Sequence, residues 1–308
     1  MNTWKNQCKF PVNTTVVGKW HRNNYRLIKQ LGEGANGVVY LASGNHGHLA
    51  LKMSPDSFSI TSEVNVLKAF AKAQGATLGP SLHDADDWDV SGGRIHFYTM
   101  EYIQGQDLLS FIRKKGHAWS GVMIVQLLDV LEKLHSQGWI FGDLKPENLI
   151  VTGPPPTIRC IDVGGTTLKG RAIKEFTEFF DRGYWGLGSR KAEPSYDLFS
   201  TAMLMINLFH QNRFTKKSHP YKQLIEVIRS DLELAKFEIP LKKSISGEYE
   251  NAGEMKADIL SVLSTGSVNK STSRSLQRRK RQNNFLETVA LLIFTVFLYV
   301  FYIYGYIL

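Results

Sequence analysis

The sequence predicts an α+β chain with two lobes, a β-rich N-lobe and a helical C-lobe, followed by one C-terminal transmembrane helix. Short apolar runs broken by glycines up to Met53 indicate strands, and apolar residues at helical spacing after Gly105 indicate helices. An uncharged apolar stretch near the C-terminus indicates the membrane span. The predicted segments are an N-terminal extension over 1–24, a folded domain over 25–263, a basic linker over 264–287 and a transmembrane helix over 288–308.

Composition narrows the classes of protein to which the chain can belong. With 308 residues and 43% hydrophobic residues, the chain can bury a sizeable core, which excludes a wholly disordered protein. Its net charge of +9 favours an anionic partner such as a nucleotide, a nucleic acid or an acidic lipid surface. The 2 cysteines have neither metal-ligand nor redox spacing. The N-terminus lacks the apolar region of a signal peptide, so we expect it to stay in the cytoplasm.

The N-lobe is predicted from its strand signals and one helix. Apolar runs between Tyr25 and Met53 are separated by glycines, as in β-hairpins. The stretch from Ser62 to Ala71 has an apolar stripe at helical spacing, and Arg94 to Ile103 reads as one long strand or two strands. These elements predict a small sheet with a single helix.

The C-lobe is predicted from helical periodicity. One apolar stripe ends at Gly138, a plausible helix stop, and consists of Ile124, Leu127, Leu128, Leu131 and Leu134. Two short strands are expected around Pro154–Pro156, and a strongly apolar helix is expected over Ser195–Leu208, with a Ser or an Asp as its cap. The expected bounds of the two strands and of two weaker helices are Asn148–Val151, Ile158–Val163, Pro220–Leu234 and Met255–Leu263.

A glycine-rich segment in the N-lobe is suited to phosphate binding. Gly32, Gly34 and Gly37 allow the backbone to approach a phosphate without a side-chain clash, although a plain hairpin turn also uses such glycines. Lys52 on the next strand can reach the α- and β-phosphates, and Glu63 on the following helix can hold Lys52 by an ion pair. Taken alone, this pair also fits two solvated surface side chains.

The stretch from Trp139 to Ile150 places polar residues at short spacing between apolar runs. Asp143 can orient or accept the proton of an attacking hydroxyl group, and Lys145 can neutralise a transferring phosphoryl group. Asn148 and Asp162 supply the oxygen ligands that a divalent metal ion prefers. The order of these residues along the chain predicts a site for phosphoryl transfer.

Together these segments resemble the motif series of the eukaryotic-like (Hanks-type) Ser/Thr protein kinases, over about Tyr25 to Leu241. The matching segments are Gly32-Glu-Gly-Ala-Asn-Gly-Val-Val39, Ala50-Leu-Lys52, Met100-Glu-Tyr102, Gly142-Asp-Leu-Lys-Pro-Glu-Asn148 and Asp162-Val-Gly164. The resemblance implies a two-lobed protein kinase fold and transfer of the ATP γ-phosphoryl group to Ser or Thr of cytoplasmic proteins. It also implies a requirement for Mg²⁺ or Mn²⁺.

The same resemblance implies roles for single residues. The residues implied around adenine are Val39, Ala50, Ile150, the gatekeeper Met100 and the hinge residues Glu101 and Tyr102. Asp107 would hold the ribose, and Asp197 would steady the backbone of the catalytic loop from within a helix. A lysine two residues after the proposed base Asp143, here Lys145, is typical of Ser/Thr kinases.

A narrower resemblance is to the YabT-like tail-anchored kinases of spore-forming bacilli. The segments that carry it are Gly138-Trp-Ile-Phe-Gly-Asp143, Ile161-Asp-Val-Gly-Gly-Thr-Thr167, Asp181-Arg-Gly-Tyr-Trp-Gly186 and the C-terminal apolar stretch. This resemblance implies a kinase domain on the cytoplasmic face of a bacterial membrane, associated with sporulation and with DNA binding.

The chain departs from the kinase pattern at several positions. Phe141-Gly142 replaces the usual His-Arg, so the arginine that binds a phosphorylated activation segment is missing. Phe141 and Val163 still supply apolar packing behind the site. The Ala-Pro-Glu element is absent, with Gly183-Tyr-Trp185 near its place, so we expect that end of the segment to be built differently. The segment also contains Thr166, Thr167 and Thr177. Their hydroxyl groups are either sites of autophosphorylation or ordinary loop hydroxyls.

The basic linker has two interpretations. Its cations are Lys270, Arg274, Arg278, Arg279, Lys280 and Arg281. Anionic lipid would attract such residues beside a membrane span, at about 1 kcal/mol per charge, and they orient the kinase domain towards the cytoplasm. DNA phosphates would also bind them, without base specificity and with a steep salt dependence. The missing arginine favours activation by dimerisation or clustering on DNA or membrane, with autophosphorylation in trans.

Two other functions compete with a protein kinase. A small-molecule kinase of the aminoglycoside-phosphotransferase type also places glycine before the catalytic aspartate, although Lys145-Pro-Glu147 argues against it. A catalytically dead kinase fold would serve as a membrane scaffold or DNA tether. The complete set of Lys52, Asp143, Asn148 and Asp162 argues against that function.

Overall fold

A six-stranded antiparallel sheet forms the N-lobe in the computed structural model, which describes residues 7–34, 36–45, 47–72 and 79–265. The strand order is β1-β2-β3-β4-β6-β5. The strands are β1 Thr15–Val17, β2 Asn24–Gly34, β3 Gly37–Gly44, β4 Gly47–Ser54, β5 Leu82–Val90 and β6 Gly93–Glu101. The sheet is antiparallel because tight turns join most consecutive strands. The predicted stretch from Arg94 to Ile103 contains one strand, β6, which ends at Glu101.

Helix α1, Ser57–Lys72, lies against strands β4, β5 and β6. It begins five residues before the predicted start at Ser62, because the Asp56 carboxylate caps it by accepting from the backbone N–H groups of Phe58, at 3.0 Å, and Ser59, at 3.2 Å. The apolar stripe is buried, with Val64 and Leu67 among the core residues. The predicted helix is thus confirmed with a longer N-terminus.

The C-lobe is helical. Its helices are α2 Leu108–Lys115, α3 Ala118–Ser136, α4 Arg182–Trp185, α5 Pro194–Phe209, α6 Pro220–Ser230, α7 Glu238–Ile245 and α8 at 252–265. Every residue of α5 from Tyr196 to Leu208 is buried, and α5 packs against α3 and α7. The predicted cap of α5 is wrong. Glu193 occupies the cap position without a side-chain cap bond, and Pro194 starts the helix. The Asp197 carboxylate accepts from the backbone N–H groups of Phe141 and Gly142.

Two small sheets carry the loops of the C-lobe. One contains β7 Gln106–Asp107, β9 Leu149–Thr152 and β10 Thr157–Cys160, and the other pairs β8 Trp139–Ile140 with β11 Thr167–Leu168. Strands β8 and β9 flank the stretch that contains Asp143, Lys145 and Asn148. Both ends of this stretch are therefore anchored in hydrogen-bonded strands.

The chain divides into two units, 1–259 and 260–308. Of the second unit, the structure describes 260–265, which are helical, so the last helix includes the first two residues of the predicted linker, Ser264 and Thr265. The predicted linker cations from Lys270 to Arg281 and the predicted transmembrane helix over 288–308 lie outside the described residues. Among the residues that are described, no helix is both long and apolar enough to cross a bilayer.

We predict that Trp185→Ala strongly destabilises the C-lobe. The indole is fully buried, packs against Phe179 and Phe214, and donates from Nε1 to the Phe179 carbonyl at 2.9 Å. Removing a buried aromatic side chain costs about 3–5 kcal/mol. Urea denaturation followed by circular dichroism measures the change. The matched control is Trp20→Ala, since Trp20 is 65% exposed; equal losses for the two variants would contradict the packing described here.

Candidate active site

A cavity of about 930 Å³ lies between the N-lobe sheet and the catalytic loop, the stretch from Trp139 to Ile150. Such a volume matches the size of sites for nucleotide-sized ligands. Most of the predicted site residues line it, namely Gly32, Gly34, Gly37, Val39, Ala50, Lys52, Met100, Glu101, Tyr102, Asp143, Lys145, Asn148, Ile150 and Asp162. The fold therefore brings together residues that lie more than a hundred positions apart in the sequence.

A buried ion pair stands at the centre of the cavity wall. Lys52 on β4 donates from Nζ to both carboxylate oxygens of Glu63 on α1, at 2.8 and 2.7 Å. The Tyr98 hydroxyl donates to Glu63 Oε2 at 2.7 Å, so the carboxylate is fixed from two sides. Burial acts to lower the pKa of Lys52, but the Asp162 and Glu63 carboxylates outweigh it and raise the pKa well above its usual value. Lys52 is therefore a fixed cation, not a surface lysine.

Asp162 extends the charge network towards the cavity. Its Oδ1 lies 3.6 Å from Lys52 Nζ and accepts from the Gly164 N–H at 2.9 Å. Burial acts to raise the pKa of the Asp162 carboxyl, but Lys52 and the Gly164 hydrogen bond hold it below its usual value. Asp162 is therefore ionised at neutral pH, as a metal ligand must be.

The catalytic loop places Asp143 among hydroxyl and ammonium groups. The Lys145 ammonium donates to Asp143 Oδ2, and the Thr177 hydroxyl donates to Asp143 Oδ1 at 3.0 Å. Lys145 Nζ also lies 3.3 Å from Thr177 Oγ1. The Asn148 side-chain amide donates to the Asp143 carbonyl oxygen at 2.8 Å. These bonds hold the carboxylate, the ammonium and the amide at one end of the cavity.

The backbone of this loop is held from below by Asp197 on α5. The fully buried carboxylate accepts from the N–H of Phe141 at 2.7 Å and from that of Gly142 at 2.9 Å. His135 on α3 lies 2.9 Å from the same carboxylate through Nε2. The geometry matches the role implied for Asp197. Buried Phe141 and Val163 also supply the apolar packing expected behind the site.

The opposite end of the cavity is apolar and suited to a flat base. Val39, Ala50 and Ile150 line it from the two lobes, with Met100 at its back. The Glu101 N–H donates to the Ser81 carbonyl at 2.8 Å, so this donor is used within the N-lobe. The Glu101 carboxylate forms an ion pair with Arg159 of β10 at 2.9 Å and so ties β6 to the C-lobe.

Asp107 does not line the cavity. Its carboxylate caps helix α2 by accepting from the Ser110 N–H at 2.8 Å. The implied contact with ribose stays a prediction.

The glycine segment continues β2 and β3 as a long hairpin, and a Cβ atom at Gly37 would stand 2.5 Å from the Met53 carbonyl oxygen. Gly37 is therefore required for close strand packing, whereas Gly32 and Gly34 face open space.

The donor set at the catalytic end fits a magnesium ion. Asp162 offers a carboxylate held ionised by Lys52, and Asn148 offers its amide oxygen because its amide nitrogen is bonded to the Asp143 carbonyl. When bound, the ion would neutralise the charges of a triphosphate. Lys52 can position that triphosphate, Lys145 can neutralise the transferring group, and Asp143 can orient an incoming hydroxyl group.

The activation segment, the stretch from Asp162 to Glu193, is built without the Ala-Pro-Glu element, as expected. Asp181, fully buried, caps α4 through the N–H groups of Gly183 and Tyr184, and it binds Arg190. The neighbouring Arg182 forms an ion pair with Glu193, in which Arg182 Nη2 lies 2.5 Å from Glu193 Oε1. Thr166 and Thr167 are each only 1% exposed. Burial of these two hydroxyl groups favours a structural role for them over phosphorylation.

The chain belongs to the protein kinase family. The family model of the protein kinase domain matches residues 25–265, and the chain is a serine/threonine-protein kinase. It is 52% identical over 291 residues to the serine/threonine-protein kinase YabT of Bacillus subtilis, covering 91% of this chain and 86% of that protein.

Other relatives match over shorter ranges or in fold alone. A probable serine/threonine-protein kinase of Clostridium perfringens, CPE1738, is 31% identical over 143 residues, which cover 44% of this chain and 21% of that protein. The solved structure of vaccinia related kinase 3 has a TM-score of 0.62 at 15% identity, covering 83% of this chain and 92% of that chain. The second likeness supports the two-lobed kinase fold.

Several residues around the cavity were not predicted from the sequence. Tyr98 and Arg159 act through long-range hydrogen bonds, and Lys174 and Glu175 lie in an irregular segment without a recognisable motif. Thr177 was identified only as a possible phosphorylation site, whereas its hydroxyl binds Asp143. Its spacing from the catalytic loop, 34 residues, gave no local signal for this contact.

We predict that Gly142→Ala lowers both stability and turnover. Gly142 has φ +84°, and a Cβ atom there would stand 2.6 Å from the Gly165 carbonyl oxygen. Such a backbone conformation costs a non-glycine residue about 1–3 kcal/mol. Thermal denaturation and a kinase assay measure the two effects. The control is Gly92→Ala, where nothing lies within 4 Å of the added atom; a Gly142 variant as stable as this control would contradict the prediction.

Proposed function

We propose that the kinase transfers the γ-phosphoryl group of ATP to Ser or Thr side chains of cytoplasmic proteins, with Mg²⁺ or Mn²⁺ bound by Asn148 and Asp162. The observation that carries this proposal is that one cavity is lined by Lys52, Asp143, Asn148 and Asp162 and also by apolar residues such as Val39, Ala50 and Ile150. Kinases of this family generally use ATP and Mg²⁺. In this assignment Lys52 supplies a cation, Asp143 and Asp162 supply carboxylates, and Asn148 supplies a neutral amide oxygen.

In this proposal Asp143 orients the hydroxyl group of the protein substrate and accepts its proton. Thr177 and Lys145 hold the carboxylate, and Lys145 neutralises charge on the transferring group. Lys52, fixed by Glu63, holds the α- and β-phosphates. The adenine lies between Val39, Ala50 and Ile150, next to Met100, Glu101 and Tyr102.

The two rival functions receive less support. Family membership and 52% identity to a serine/threonine-protein kinase favour a protein substrate over an antibiotic or a sugar. A dead scaffold would not need the Lys52–Glu63 pair, because a buried ion pair contributes little to stability over apolar packing. The intact pair is better explained by use in phosphoryl transfer.

We predict that Asp143→Ala reduces phosphoryl transfer by about 10²–10⁴-fold, since it removes the group that handles the proton. Lys52→Ala should also lose activity while the chain stays folded. Incubation with labelled ATP, Mg²⁺ and a generic protein substrate measures incorporation. Asp89→Ala, which removes an exposed carboxylate on β5, serves as the control. Equal incorporation by Asp143→Ala and the control would refute the assignment of Asp143.

We also propose that the kinase is tail-anchored in the cell membrane, with its catalytic domain in the cytoplasm, and that it acts during sporulation. The uncharged stretch over 288–308 and the cations from Lys270 to Arg281 support an anchor with the kinase domain on the cytoplasmic side. DNA or anionic lipid would bind these cations and cluster the kinase near its substrates. Because Gly142 stands where other kinases have the phosphate-binding arginine, clustering is favoured as the means by which kinase activity is stimulated.

We predict that removing residues 269–284 abolishes stimulation by DNA. The deletion takes away all six linker cations, so the affinity for DNA should fall and its salt dependence should flatten. The kinase assay is run with and without DNA at two salt concentrations. A variant with an uncharged Gly/Ser segment of equal length separates charge from spacing. Unchanged stimulation in both variants would defeat this part of the proposal.

A further inference from the structure

Four consecutive residues of the activation segment, Lys174 to Thr177, each contact a different part of the site. Lys174 reaches α1, Glu175 reaches the glycine-rich hairpin, Phe176 packs under Arg190, and Thr177 reaches the catalytic loop. Lys174, Glu175, Phe176 and Thr177 also line the cavity. We call these four residues the strap.

The contact of Lys174 acts on the helix that carries Glu63. Lys174 Nζ donates to Ser62 Oγ at 2.9 Å, and Ser62 directly precedes Glu63 on α1. Because Glu63 fixes Lys52, a shift of α1 would displace the ammonium group that we assign to the phosphates. The Lys174–Ser62 bond therefore bears on catalysis from outside the cavity centre.

The contact of Glu175 acts on the glycine-rich hairpin. The Asn36 side-chain amide, at the turn between β2 and β3, donates to Glu175 Oε1. The next two residues continue the strap, with the Phe176 ring 4.0 Å from the Arg190 guanidinium and with Thr177 bound to Asp143. The hairpin, the strap and the catalytic aspartate are thus linked in one chain of contacts.

The strap has a rigid base. Backbone N–H groups of Gly170 and Ile173 donate to the carbonyls of Ala192, at 2.7 Å, and Arg190, at 2.9 Å. Ala192 returns a bond to the Arg171 carbonyl at 2.7 Å. Arg190 is in turn fixed by its ion pair with the buried Asp181 carboxylate, at 2.6 Å.

We propose that Lys174 and Glu175 are positioning residues that hold α1 and the glycine-rich hairpin in the arrangement for phosphoryl transfer without phosphorylation of the activation segment. The inference rests on the catalytic assignment proposed above. It follows from three observations: Gly142 offers no side chain to bind a phosphate, Thr166 and Thr167 are buried, and Thr177 is occupied by Asp143. The strap supplies by hydrogen bonds the ordering that phosphate supplies elsewhere.

The test uses the full chain after phosphatase treatment, with the absence of phosphate checked by mass spectrometry. Turnover and the KM for ATP are measured for Lys174→Ala, Glu175→Ala and Asn36→Ala. We expect turnover to fall about tenfold in each, the effect of losing one hydrogen bond to a charged group at a positioning contact. Lys174→Arg and Glu175→Gln keep a donor and an acceptor, so we expect turnover within about threefold of the wild type.

A double-mutant cycle separates positioning from general loss of structure. Ser62→Ala and Lys174→Ala should be non-additive, with the double variant no slower than Lys174→Ala alone, since both remove the same contact. Lys169→Ala removes another exposed lysine of the segment and should leave turnover unchanged. Thermal denaturation is recorded for every variant, so that a fall in turnover is compared at equal folded fraction.

The possible outcomes are distinct. An active phosphatase-treated wild type, with slow alanine variants and rescued conservative variants, supports the proposal. Alanine variants equal to Lys169→Ala would overturn it, and so would a wild type that loses its activity when its phosphate is removed. Activity equal to that of Asp143→Ala in the wild type, before and after treatment, would instead refute the proposed catalytic function itself.

Discussion

The hydrogen bonds from the catalytic-loop backbone to the Asp197 carboxylate are the constraint on which the active site depends. A carboxylate without solvent contact is stable only when its oxygens are fully paired, and here Phe141, Gly142 and His135 pair them. Helix α5, buried along most of its length, is thereby locked to the loop that carries Asp143. A shift of α5 would leave two buried N–H groups unpaired, so the C-lobe core fixes the position of Asp143 and the loop around it.

The same constraint explains the glycine before Asp143. To present its N–H to Asp197 next to that of Phe141, residue 142 adopts φ +84°, with the Gly165 carbonyl packed closely against it. A glycine adopts this conformation at little cost, whereas most residues do so under strain. The loop therefore gains an unstrained backbone at the position where an arginine would bind phosphate. A glycine in place of arginine at position 142 therefore both removes the phosphate-binding side chain and lets the loop pack without strain.

Sequence reasoning predicted what depends on local pattern. The helix around Val64 and Leu67, the strand with Lys52, and the set Lys52, Asp143, Asn148 and Asp162 all carry a periodicity or a fixed spacing. It missed β5, because the run from Leu82 to Val90 contains four aspartates, which strands usually avoid. These carboxylates are tolerated because lysine, arginine, histidine and backbone N–H groups of neighbouring elements pair with them. Such pairing is visible only after the chain has folded.

The activation segment also shows that sequence alone does not predict contacts that form only after folding. Its hydroxyl-bearing residues suggest phosphorylation when read as isolated sites, but burial and hydrogen bonding decide their use. The Thr177 hydroxyl donates to Asp143 Oδ1 at 3.0 Å, so it serves the loop as a hydrogen-bond donor. Thr177 and its neighbours bind the catalytic loop, the hairpin and α1. A phosphate added to this segment would be repelled by the Glu175 and Asp143 carboxylates. The geometry therefore favours an activation segment that is ordered by its own side chains. Regulation would then act on the location and the local concentration of the kinase.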